Sequence, residues 1–160
     1  MMDWFVRNAR EAWWTENELG AFCGFEDDDV RFPELGINLN VLQPGRPMCM
    51  YHREAYQEDF LVLRGECLLI VEGQEVPLRQ WDLFHCPRDV AHVIVGAGAT
   101  SSLVLAVGSR VGPDVCVYPV DDTALAHGAG VEVETPEPAE AYARFTRPAP
   151  VPFRGEFLSG

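Results

Sequence analysis

Lysine is absent from this 160-residue chain. Its twelve cations are all arginine and face 25 acidic residues, leaving a net charge of −13. Nucleic-acid binding depends on neutralising phosphates with Lys and Arg, so this balance argues against such a partner. An anionic membrane surface is disfavoured for the same reason. No apolar run approaches the roughly eighteen residues that a membrane-spanning helix requires. The opening Met1-Met-Asp-Trp-Phe places an acid where a secretory leader carries basic residues, and no apolar core follows it. The expectation is an untargeted, cytoplasmic protein. Also missing are a Cys-x-x-Cys pair, a phosphate-cradling glycine loop, a nucleophile-elbow serine and any internal repeat, which sets those enzyme classes aside.

What is present reads as one ordinary globular domain. Apolar residues make up 48% and charged residues 23% of the chain, and this length buries a core without disulfide or metal staples. Cys23, Cys49, Cys67, Cys86 and Cys116 are odd in number, widely spaced and mostly set in apolar segments. They read as buried thiols in a reducing compartment.

From about Leu35 to Gly108 the chain is a succession of short apolar or alternating runs, each closed by Gly, Pro or Asp. The pattern predicts strands near Ile37–Gln43, Met48–Arg53, Asp59–Leu63, Cys67–Glu72, Glu75–Arg79, Leu83–Cys86, Ala91–Val95 and Ser101–Val107. Short strands in series with no helix among them favour a closed or double-sheet barrel over a βαβ fold. Residues 1–34 mix aromatic anchors with the acidic run Glu26-Asp-Asp-Asp29 and read as an irregular arm packed on the barrel, the acids forming a solvated loop. Residues 35–120 are the barrel and 121–160 a C-terminal extension. In the extension, Thr135-Pro136 predicts the start of a short helix reaching about Phe145, and Asp121 to His127, stopped by Gly128, a second. Pro148-Ala-Pro-Val-Pro152 predicts an extended, partly disordered stretch.

The chemistry-bearing residues fall inside the barrel. His52 and Glu54 are two apart, so on a strand they share one face, about 6.6 Å along. Glu58 follows an interruption at Ala55-Tyr-Gln57, and His92 lies five residues after Pro87. Neutral imidazole and carboxylate are the donors that hold iron, manganese, nickel and zinc in mononuclear centres. Tyr51 and Gln57 are lesser candidates, and His85 and His127 read as structural. Cys86 beside His85 does not make a nucleophile and base, because adjacent strand residues face opposite sides of a sheet.

This pattern resembles the cupin superfamily. Gly45, His52, Glu58 and Gly65 fit its first motif, and Pro87 and His92 its second, across roughly residues 35–108. The resemblance implies an all-β double-stranded β-helix, a jelly-roll barrel, with His52, Glu58 and His92 as ligands of a divalent ion. Glu54 stands where the family carries its second His. Trp81 and Asp89 replace two glycines of the second motif, and Gly96 replaces its Asn. Glu54 either joins the ion or pairs with Arg46 or Arg53 at the rim. The resemblance leaves open a metal-dependent oxygenase, isomerase or lyase, a non-catalytic module that binds a small molecule without metal, and a vestigial pocket. It also implies a homodimer, and the aromatic arm suits either an exchange between copies or the closing of one end of its own barrel.

Overall fold

The computed structural model describes residues 4–113 and 115–159. The first three residues of the expected arm lie outside that range. Twelve strands run in the order β1 (Trp13–Asn17), β2 (Gly20–Gly24), β3 (Leu35–Leu42), β4 (Arg53–Glu54), β5 (Glu58–Arg64), β6 (Glu66–Val71), β7 (Gln74–Arg79), β8 (Leu83–Cys86), β9 (His92–Ala97), β10 (Ser102–Ser109), β11 (Cys116–Val117) and β12 (Ala149–Val151). Among the described residues two short α-helices, α1 (Asp122–Ala126) and α2 (Pro138–Ala141), interrupt the last third.

A seven-stranded sheet of order β12-β1-β2-β3-β10-β5-β8 faces a three-stranded sheet β7-β6-β9, with all pairings antiparallel. Period-two side chains divide the strands between two cores. Val104 and Ala106 of β10 and Phe60 and Val62 of β5 point between the sheets, where they meet Cys67, Leu69 and Ile94. Leu103 of β10 points the other way, to Trp14, Cys23 and Phe157. On the outer face of the small sheet, Val93 and Val95 pack on Ala124 of α1. Every residue from His92 to Gly96 is therefore buried. The chain crosses from the large sheet to the small one at Gly65, whose φ of 77° suits the residue without a Cβ.

Several sequence expectations need revision. The arm is irregular only around residues 4–12 and 25–34, with one short 3-10 turn; between these, β1 and β2 form a hairpin that extends the large sheet. Its turn is held by the Asn17 side chain accepting from Leu19 N. The acidic run is the solvated loop expected, with Asp27, Asp28 and Asp29 exposed, and it is tied at two points: Asp27 pairs with Arg7 at 2.6 Å, and Glu26 with Arg110 at 2.7 Å. The strand expected over Met48–Arg53 is broken into bends, leaving single bridges at Pro47 and His52. The last helix begins at Pro138 rather than Pro136, because a residue preceding proline is kept out of the helical region and Glu137 precedes Pro138. Thr135 instead bridges Tyr118.

The proline-rich stretch is ordered. It forms β12 at the edge of the large sheet, with Thr15 opposite Pro150. Prolines at 148, 150 and 152 alternate, so the missing N–H groups all fall on one side and Ala149 and Val151 keep theirs for the ladder.

Candidate metal centre

Three elements deliver the donors. His52 enters from the bend before β4, Glu58 opens β5 and His92 opens β9. The two histidine backbones bond each other reciprocally, N to O, at 3.1 and 2.8 Å. This bridge sets the ring centroids 4.8 Å apart. His52 Nε2 stands 3.4 Å from Glu58 Oε2, and His92 Nε2 stands 3.3 Å from the same oxygen. Donors held about 2.1 Å from one ion at tetrahedral angles are about 3.4 Å apart, so this spacing suits a shared cation.

Both rings are fixed from behind in the same way. His52 Nδ1 lies 2.8 Å from Met50 O and 3.6 Å from Cys49 Sγ. His92 Nδ1 lies 3.1 Å from Val90 O and 3.3 Å from Cys86 Sγ. Each carbonyl, two residues back, can only accept, which places a proton on Nδ1 and turns Nε2 inward. Orientation of a ligating imidazole by a backbone carbonyl is the usual support of such centres. Phe60 and Phe84 wall the His92 ring at 5.3 and 5.5 Å, and Tyr118 lies 6.2 Å from His52.

The electrostatics match. Burial pushes the Glu58 carboxyl up, but the two imidazoles at ion-pair distance outweigh it and hold it at about 2. Burial pushes His52 down, yet the Cys49 thiol and Glu58 together carry it well above its ordinary 6.5. Burial lifts the Cys86 thiol to about 12, so it stays protonated and is no nucleophile. Glu58 Oε2 and His92 Nε2 are buried without a hydrogen-bond partner. An orphaned acceptor is costly in an apolar interior, and a cation among these atoms offsets that cost.

The structure sorts the remaining candidates. Glu54 Oε1 comes within 3.8 Å of His52 Nε2, at the wetter side of the cluster. His52, Glu54 and Cys116 form a second group whose donor atoms all lie within 4.8 Å of one another. Tyr51 is buried among Ile70, Ala91 and Val93, away from the ion position. Gln57 turns to Asp59 at 2.5 Å. His85 pairs with Asp59 and His127 with Glu75, both on the surface. Sequence reasoning left Cys116 among the structural thiols, and only the β11–β4 pairing reveals its position. A cleft of about 790 Å³ lies elsewhere, between the inner face of β1–β3 and residues 139–148, lined by Trp13, Phe22, Asn40 and Tyr142.

The cupin domain model matches residues 38–108, the segment that carries His52, Glu58 and His92. This segment is a cupin domain. No curated protein matches the chain. Among solved structures, a provisionally assigned sugar phosphate isomerase of Acidithiobacillus ferrooxidans is 28% identical, with a TM-score of 0.53, over 61% of this chain and 64% of that one. The chain thus spans just under two thirds of that relative. A cupin-superfamily sugar phosphate isomerase of Silicibacter pomeroyi (22% identity, TM-score 0.57, 66% and 73% covered) shares the fold. So does the polyketide cyclase RemF of Streptomyces resistomycificus (15%, 0.58, 69% and 84%).

The departures from the cupin pattern have local physical readings. Trp81 and Asp89, which replace glycines, keep a glycine-like backbone with φ of 76° and 63°. Gly96 lies against the turn at Gln43, and a Cβ there would sit 2.3 Å from Gln43 O. At positions 81 and 89 the side chain departs from the cupin pattern while the backbone takes a conformation suited to glycine. Among the described residues no helix is long and apolar enough to cross a membrane.

Proposed function

We propose that this chain is a metal-dependent cupin enzyme acting on a small oxygen-bearing molecule, with His52, Glu58 and His92 as the ligand set and Glu54 as a further donor. The observation that carries the reading is the pair of buried, unpartnered atoms, Glu58 Oε2 and His92 Nε2, converging with His52 Nε2. Two imidazoles and one carboxylate leave open positions on a divalent ion, so iron, manganese, nickel or zinc there supplies Lewis acidity toward water, dioxygen or a substrate oxygen. The protein's own contribution is orientation and exclusion. Met50 O and Val90 O lock the rings, and Glu58 remains a carboxylate throughout the neutral range. Phe60 and Phe84 dry the His92 side, leaving Glu54 and Glu58 as the more exposed entry. Oxygenase, isomerase and lyase chemistry all suit such a centre, and the likeness to sugar phosphate isomerases favours an isomerase.

Elemental analysis of untagged protein, with melting in chelator and in each of the four ions, tests the reading. At an ion concentration 100 times the dissociation constant, stability rises by about 2.7 kcal/mol. His92→Ala abolishes the rise while the metal-free barrel stays folded. No metal and no shift with any ion would sink it.

The same reading includes a homodimer and a cytoplasmic setting. Trp4 and Val6 on the arm are 80% and 90% exposed, and such apolar surface favours a second copy. Light scattering after size exclusion tests this, and a monomer counts against it. All five cysteines are free thiols, which suits a reducing compartment.

A further inference from the structure

The cupin pattern lacks its second imidazole in this chain, and the structure holds a different soft donor beside that position. β11 pairs with β4 so that Cys116 stands directly opposite Glu54. Residues directly opposed in an antiparallel pair project from the same face of the sheet, so the thiol and the carboxylate point the same way. Glu54 Oε1 faces His52 Nε2 at 3.8 Å. One donor atom each from His52, Glu54 and Cys116 lies within 4.8 Å of the other two. An ion keeps such donors 2.0–2.3 Å away, and two of them then stand at most about 4.4 Å apart. Small side-chain adjustments bring these three onto one ion; His52 is the donor that this group shares with Glu58 and His92, and the Cys116 side chain must swing further to meet those two.

Two other thiols approach the histidines, and neither joins a donor group among the described residues. Cys49 and Cys86 contact Nδ1 of His52 and His92, on the side of each ring turned away from Glu58. They support the rings from behind. The second, independent sign of a ligand is the unpartnered Nε2 of His92, in a residue only 1% exposed, aimed into the space that His52 Nε2 and Glu58 Oε2 share.

We propose that Cys116 enters the coordination shell as a thiolate, with Glu54, in place of the missing imidazole, giving a donor set of two nitrogens, carboxylate oxygen and one sulfur. The thiol loses its proton to solvent as the metal–sulfur bond forms. Thiolate is a soft donor, and the site therefore discriminates in favour of zinc, cobalt, nickel and iron over manganese and magnesium. The assignment rests on the metal reading above and adds the sulfur to it.

Cobalt(II) separates the two ideas. Chelator-treated protein, reduced with a phosphine and loaded with Co(II) without oxygen, shows visible d–d bands if the centre binds the ion at all. A thiolate-to-cobalt charge-transfer band in the near ultraviolet reports the sulfur. The band is lost in Cys116→Ser and kept in Cys49→Ser, while d–d bands persist in both. X-ray absorption at the cobalt edge of the unaltered protein counts the sulfur without any variant. Visible bands with no charge-transfer band and no sulfur shell overturn the role of Cys116 and leave the His52–Glu58–His92 centre standing. Absence of every cobalt band overturns both.

Discussion

His92 Nε2 and Glu58 Oε2 lie 3.3 Å apart, buried, and neither has a hydrogen-bond partner. Without an ion, the charges of this pocket must be balanced by protons, and stability should follow pH accordingly. The Glu58 pKa is depressed from 4.5 to about 2, so its contribution is complete above 4.5 and disappears as pH falls toward 2. The His52 pKa is raised above 6.5, so its contribution is complete below 6.5 and disappears as pH climbs through the folded value. Both act together between 4.5 and 6.5. Metal-free protein should therefore melt highest in that weakly acidic window. Saturating metal should move the optimum upward. Melting curves across pH, with chelator and with ion, check this; one optimum common to both forms contradicts it.

Metal uptake should be linked to protons. The pull of Cys49 and Glu58 favours the protonated form of His52 in the metal-free protein, and the ring must be neutral to ligate. Binding of each ion should release about one proton from the pocket at neutral pH, plus a further one if a thiol is recruited. Calorimetry in two buffers of different ionisation enthalpy reads the number directly. Identical heats in both buffers would show that no proton leaves.

Restoring the family's Asn at position 96 should damage this barrel. A Cβ on Gly96 meets Gln43 O at 2.3 Å and Gln43 C at 2.9 Å, both backbone atoms. The turn is also tied to β9 by Gly45 N to Gly96 O and Gly96 N to Arg46 O. Gly96→Asn should cost about 3 kcal/mol or more, because one of the two backbones must move. Denaturant unfolding measures it, and a change under about 0.5 kcal/mol would show that the turn yields freely.

Position 81 should respond in the opposite sense. Trp81 is 67% exposed and holds φ at 76°, so it gives up little packing if removed. A left-handed conformation costs an ordinary residue about 1–2 kcal/mol, and glycine offsets this by about 0.5–1 kcal/mol of extra chain entropy. Trp81→Gly should stabilise the monomer by up to about 1 kcal/mol. A loss of stability would mean that the indole has a partner, such as a second copy of the chain.

The barrel was legible because its signals are local. Turns at Gly65, Gly73 and Pro87 and period-two alternation place β5 to β10 within a residue or two. His52, Glu58 and His92 converge because their motif spacing encodes the same strands. Two kinds of information stayed hidden. Trp13 and Trp14 read as anchors of an arm, since nothing local shows that β1 will sit between β2 and a strand more than a hundred residues away. Cys116 likewise reads as one more buried thiol. Its place beside Glu54 comes from a two-residue ladder that closes a loop of about sixty residues, a contact set by tertiary packing.

The prolines of β12 bear on how this protein behaves at high concentration. With Pro148, Pro150 and Pro152 turned outward, that border of the seven-stranded sheet offers carbonyls but not the donors of those three positions. A strand from another molecule would find no complete ladder to join, so strand-by-strand growth into fibrils is blocked at this end. Any association through it must do without those three backbone donors. The border thus works as a chain terminator, and replacing the three prolines would turn a closed margin into a template.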